Sequence, residues 1–269
     1  FSLLPQNQLW EPNVREDVKR LFLDHDGKSI LSGIYTKDII EKTNVAGPLL
    51  STSVYGGFIE YLKKLKADKA IAGYSVFPYD WRYATEQAGV VNLVTKIEEE
   101  AIKSSNGQVV LVAHSYGGFM AKEALRILDG LGKKDLVRSV IYAAMPETGA
   151  PQAIFAALHG DEQAILASWI LDPDTSIDFA ANMPSAHLLT PSPYFAGSLA
   201  LGFKDKKTGS TSSYASVTAS TTGYSLPGIY GWLRDSMRAS DRRAGQSNDS
   251  PSVRLAGNIW MAQRFHEGV

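Results

Sequence analysis

The stretch Val109-Val110-Leu111-Val112-Ala113-His114-Ser115-Tyr116-Gly117-Gly118 decides how this chain reads. It opens as a continuous apolar run rich in β-branched residues, the pattern of a strand buried on both faces of a parallel sheet. Phe119, Met120, Glu123, Ala124, Ile127 and Leu128 then follow at helical spacing, and Asp129-Gly130 marks the stop. Between strand and helix lies a small-x-Ser-x-Gly turn centred on Ser115. That order describes a nucleophile elbow, in which a strained serine sits at the top of a sheet and the residues two before and two after are small, so that strand and helix can pass. Ala113 and Gly117 hold those places. The turn lifts the Ser115 hydroxyl clear of the backbone and aims the Tyr116 amide at the position of a tetrahedral oxyanion, where the helix dipole adds its positive end. The competing reading is an ordinary strand-to-helix turn; the strand before and the helix after favour the nucleophile.

Working outward, Val90, Leu93, Val94, Ile97 and Ala101 give an amphipathic helix with Glu98, Glu99 and Glu100 on its wet side, ended by Ser104-Ser105-Asn106-Gly107. Tyr74 to Phe77 reads as a short strand closed by Pro78-Tyr79-Asp80-Trp81-Arg82, since proline cannot donate to a ladder. Asp80 and Arg82 then stand at the carboxyl end of a strand, where open parallel sheets bind ligands. The preferred reading of the two is an ion pair that pins the loop, with direct catalysis as the other. Val137 to Ala144 reads as the next buried strand, so the expected sheet is parallel with right-handed crossovers. Farther out, Pro12 can start a short helix carrying Val14, Val18, Leu21 and Phe22, and Asp24 to Lys28 is a polar turn, with no acid where a calcium loop would close. Leu50 to Gly57 reads as loop. Phe58, Tyr61, Leu62 and Leu65 form a helical stripe expected to be buried beneath a lysine-rich back.

Pro146-Glu147-Thr148-Gly149-Ala150-Pro151 is a breaker-rich loop on the ligand side of the sheet. Beyond it, Ile154, Phe155, Leu158, Ile165, Trp169, Ile170, Ile177 and Phe179 suggest short helices without a strand, as a lid over a site would be built. Residues 204–225 are rich in Ser and Thr and read as an exposed excursion. Ser250 and Pro251 cap a helix with Leu255, Ile259, Ala262 and Phe265 toward the core.

Composition sets the outer bounds. The 269 residues are 44% apolar and 20% charged, with a formal net charge of −1, five histidines and no cysteine. Disulfides, thiolate metal sites and a cysteine nucleophile are excluded. The spread of Lys and Arg along the chain suggests neither a nucleic acid partner nor electrostatic docking on an anionic membrane. No apolar run approaches the ~18 residues of a membrane span, no ligand cluster supports a metal, and no cofactor is expected. The first residue is Phe1, which fits a processed chain or a piece of something longer.

Phe77-Pro78-Tyr79-Asp80-Trp81-Arg82, Leu111 to Gly118, Pro146 to Ala153 and Pro184-Ser185 through Pro191 occur in this order, and together they resemble the lecithin:cholesterol acyltransferase family of α/β-hydrolases over roughly residues 9–200. The resemblance implies a mostly parallel sheet sandwiched by helices, with a helical lid. Residues 1–145 and 226–269 would form the core and 146–225 the lid. It implies acyl-ester hydrolysis or transfer through an acyl-enzyme on Ser115, with Tyr116 in the oxyanion hole, Asp80, Trp81 and Thr148 at the substrate pocket, and a lipid or other acyl ester as partner. The family's N-terminal oxyanion loop and its Gly-Asp-Gly-Thr-like acid loop are not found, so truncation at both ends is the expectation. Among the histidines, His114 is read as structural, and His159 and His187 as surface or lid-packing residues. The simpler reading places acid and base in a part of the protein absent from this chain; the alternative within it is His266 as base, by the order nucleophile, acid, base, with Asp235, Asp241 or Asp249 as acid. The alternative function is a non-catalytic scaffold of the same fold that binds a lipid or a protein.

Overall fold

The computed structural model describes Leu9 and residues 15–24, 27–44, 51–153, 175, 179–180, 183–191, 199–204 and 211–217. These fall into two compact units. The first holds Leu9 and the described residues within 15–22 and 29–145; the second holds those within 23–28 and from 146 onward.

In the first unit, α1 (Arg15–Arg20) leads to a short antiparallel pair, β1 (Lys42–Asn44) and β2 (Ser51–Ser53). The second strand of that pair and the start of α2 (Gly56–Ala67) both lie in the stretch that the sequence assigned to loop. Then come α3 (Val90–Lys103), β3 (Val109–His114), α4 (Gly117–Gly130) and β4 (Val137–Ala143). β3 and β4 pair in parallel, with Val112 beside Ile141 and His114 beside Ala143. A parallel pair joined through a helix is the βαβ unit, so the described core is α/β.

The helices bury the faces their periodicity predicts. Val90, Val94, Ile97 and Ala101 of α3 and Phe119, Met120, Ala121, Ala124 and Leu128 of α4 are all buried. Val18 of α1 and Leu21 just after it join the core. Burying one such aliphatic or aromatic side chain stabilises by about 1.5–3 kcal/mol.

Three expectations need correction. The residues from Tyr74 to Phe77 form no strand: they carry no ladder bonds. β3 is not buried on both faces. Val110, Val112 and Ile141 are each about half exposed, because α3 and α4 contact the sheet on one face and no described helix covers the other. The stripe on α2 is only partly covered, since Gly56 and Ile59 are the buried residues of the helix and Leu62 and Leu65 are half-buried, while Phe58 and Tyr61 face outward.

In the second unit, the Asp24–Lys28 turn closes through Asp24 N–H to the Lys28 carbonyl, 2.8 Å, and Lys28 N–H to Asp24 Oδ1, 2.9 Å. Pro184 starts α5 (Pro184–Leu188), and β5 (Leu199–Lys204) pairs antiparallel with β6 (Thr211–Val217). Within the stretch 204–225, Lys204 and residues 211–217 belong to this antiparallel pair, and the rest of it lies outside the described residues. The lid residues named between Ile154 and Ile177 and the C-terminal helix lie outside the described residues; Thr175 and Phe179 are helical.

Candidate active site

Ser115 sits between the last residue of β3 and the first turn of α4 with φ of 51°, in the left-handed region that a residue with a Cβ rarely occupies. The conformation costs roughly 1–2 kcal/mol and persists because both sides hold it. Ser115 N–H donates to the Ala143 carbonyl at the end of β4, 2.9 Å, and the Ser115 carbonyl accepts from Gly118 N–H, 3.0 Å. The sheet fixes one flank of the turn and the helix fixes the other. Ser115 is partly exposed, whereas Ala113, Tyr116 and Gly118 around it are buried.

The need for small residues is sharpest one position from where the sequence placed it. A Cβ on Gly117 would meet only the Tyr79 hydroxyl, at an ordinary 3.6 Å; a Cβ on Gly118 would fall inside the Met145 side chain. Gly118 is thus where α4 passes the end of the sheet.

Aromatic residues wall the turn. Tyr116 packs its ring against Phe119 and Tyr79 and donates its hydroxyl to the Tyr83 carbonyl, 3.0 Å. Burial pushes both the Tyr116 and the Tyr79 phenol well above the ordinary tyrosine range, with each raised further by a neighbouring tyrosine, so both are neutral donors across the physiological range. His114, on the exposed face of β3, is bonded through Nδ1 to the Tyr55 hydroxyl at 2.7 Å, with the rings edge to face. That contact anchors the residue before Ser115, as the structural reading expects.

The Asp80–Arg82 ion pair forms. Arg82 Nη2 lies 2.6 Å from Asp80 Oδ2 and Nε 2.9 Å from Oδ1, while Nη1 donates to the Leu21 carbonyl and Ser29 Oγ. Arg82 is only 1% exposed, and its guanidinium also lies over the Tyr83 ring. These bonds tie the Tyr79–Tyr83 loop to the segment after α1, and so fix the carbonyl that receives the Tyr116 hydroxyl. Trp81 is partly exposed in the same loop.

Thr148 belongs to the second unit, in a loop held to the end of α5: Ala150 N–H donates to the Leu189 carbonyl, 2.8 Å, and Gly149, at φ of 90°, lies where a Cβ would strike the Thr190 carbonyl and Pro191. His187 is buried there, 3% exposed, and its carbonyl accepts from the Thr190 hydroxyl at 2.6 Å. It packs in the interior and is no surface residue. His25, His159, His266, Asp235, Asp241 and Asp249 lie outside the described residues. Among the described residues no His, Asp or Glu group could hold a metal, and no helix is long and apolar enough to cross a membrane.

A βαβ unit with a strained, partly exposed serine at its strand-to-helix turn defines an α/β protein built around that turn. Its family follows from a direct match: the family model described as lecithin:cholesterol acyltransferase covers residues 27–216, and the chain belongs to that family. Three chains of solved structures match it. One, in a crystal structure of a Tle4–Tli4 complex, is 19% identical with a TM-score of 0.44, over 70% of this chain and 40% of that one. This chain therefore spans less than half of that protein's length. No curated protein matches.

Proposed function

We propose that this chain carries the nucleophile of an α/β-hydrolase acting on lipid or other acyl esters, as a hydrolase or an O-acyltransferase. The observation that carries the reading is the positive φ of Ser115 between a parallel strand and a helix start, together with membership of the family. Backbone strain at a polar residue persists where the surroundings over-determine it, as reactive sites do.

In this mechanism the Ser115 oxygen attacks the ester carbonyl carbon while its proton passes to a base. The carbonyl oxygen becomes an oxyanion that accepts from the Tyr116 amide near the positive end of α4. Collapse expels the alcohol, which takes the proton, and leaves an acyl group on Ser115. Water or a second alcohol then removes it in the reverse sense. His266 is the base this chain offers, with Asp235, Asp241 or Asp249 as its acid. Asp80 and Trp81, in the loop that Arg82 anchors, are the first unit's residues proposed for the substrate pocket.

A fluorophosphonate probe tests the central step, because it labels only an activated serine. The whole chain should be labelled and should turn over a p-nitrophenyl ester; Ser115→Ala should lose both, and His266→Ala should slow both by several orders of magnitude, since triad members act as a unit. Labelling that survives Ser115→Ala removes the proposal. A folded chain that is never labelled supports the second reading, a non-catalytic scaffold of the same fold that binds a lipid or a protein.

A further inference from the structure

We infer that the outward face of α2 docks this protein on an anionic lipid surface. The inference rests on the lipid-ester reading for its choice of partner and adds where that partner's surface is met. On α2, Phe58 is 41% and Tyr61 57% exposed, and Val54 just before the helix is 47% exposed. Leu62 and Leu65, at the spacing that places them on the same stripe, are half-buried. Gly56 and Ile59 are the helix's fully buried residues.

Lysines flank this stripe. Lys64 stands on one side and Lys66 on the other, with Lys63 and Lys69 close by, against three acids, Glu60 and Asp68 on the segment and Glu41 near Lys63. Glu60 is held by Lys63 at 2.7 Å, whereas Lys64, Lys66 and Lys69 enter no ion pair among the described residues. On the Lys66 side an open groove is lined by Lys63, Lys66, Ala67, Tyr74, Ser75 and Val76, and Lys66 is its cation without an ion pair among the described residues. A helix with lysines beside an aromatic and leucine stripe is built to lie in a lipid interface, apolar face down, with its cations on anionic headgroups.

The last-turn lysines also complement the helix dipole, which would explain them on any helix. It does not explain two adjacent aromatic rings turned outward on the same element. The chain carries a formal net charge of −1, so this basic strip is local and opposite in sign to the whole. That is why charge spread along the sequence concealed it.

Co-sedimentation of the whole chain with vesicles tests this without any chemistry being read. The chain should bind vesicles of phosphatidylcholine mixed with phosphatidylserine, bind pure phosphatidylcholine weakly, and be released by salt. Phe58→Ser with Tyr61→Ser should weaken binding about tenfold or more, and Lys64→Glu with Lys66→Glu likewise. Val91→Ser, which removes an equally exposed apolar residue from α3, should bind as the parent does. Ser115→Ala should bind unchanged, so failure of the catalytic reading and failure of this one separate cleanly. The inference is overturned if the parent does not bind, or if either double variant binds as the parent does. It is also overturned if Phe58→Ser with Tyr61→Ser unfolds the chain, which would mean that protein covers the stripe, or dissolves a dimer, which would make the stripe a self-association face.

Discussion

At Ser115 the backbone and the side chain can be separated experimentally. A glycine there would adopt φ of 51° without steric cost, relieving roughly 1–2 kcal/mol, while its freer unfolded chain gives back about 0.5–1 kcal/mol. Alanine keeps the Cβ and keeps the strain. Ser115→Gly should therefore melt at or above Ser115→Ala, by up to ~2–4 °C for about 1 kcal/mol in a domain of this size, although both lose the hydroxyl. Calorimetry of the two variants checks it. An alanine variant that melts clearly above the glycine one would show that the turn stores no strain. The serine and its turn were legible from five residues in a row because the constraint is local: small residues, a strand before and a helix after. Tyr79 and Tyr55 were not, since nothing in their own segments says that their hydroxyls end beside Gly117 and on His114.

Among the elements, α3 and α4 were the most readable. Their apolar positions repeat at helical spacing, and that spacing alone fixes which side is buried. α2 has the same periodicity and is only partly covered, because a stripe of Phe, Tyr and Leu says that one face is apolar without saying what covers it. Tyr74 to Phe77 failed for a related reason: β propensity describes residues that suit a sheet, and pairing needs a neighbour that the local sequence does not contain. The α4–β4 junction gives a sharp test of packing. Gly118→Ala puts a Cβ into Met145, whose own Cβ lies 2.9 Å from the new atom, so turning the flexible end of that side chain aside is insufficient. Such overpacking costs about 1–3 kcal/mol. Gly117→Ala meets nothing nearer than 3.6 Å and gains helix propensity of up to about 1 kcal/mol. Urea unfolding should rank Gly117→Ala at or above the parent and Gly118→Ala below it; the reverse order would mean that the elbow's tight point is the one the sequence motif implies.

For the whole chain, the tyrosines decide how stability responds to alkali. The sequence has 12 of them. Burial raises the folded pKa of Tyr116 and Tyr79 well above the unfolded 10.0. Below about pH 10 both are protonated in either state and their contribution is complete. As the pH rises past 10 toward the folded values, only the unfolded chain loses these protons, so stability falls by up to about 1.4 kcal/mol per pH unit for each. Tyr116→Phe removes one such proton together with the bond to the Tyr83 carbonyl, which contributes about 1 kcal/mol. Near neutrality the variant should be the less stable of the two. Above pH 10 the gap should close, because the parent declines more steeply. Urea unfolding of both proteins from pH 7 to about 11 reads the two slopes, and parallel curves would mean that the Tyr116 hydroxyl reaches water in the folded chain.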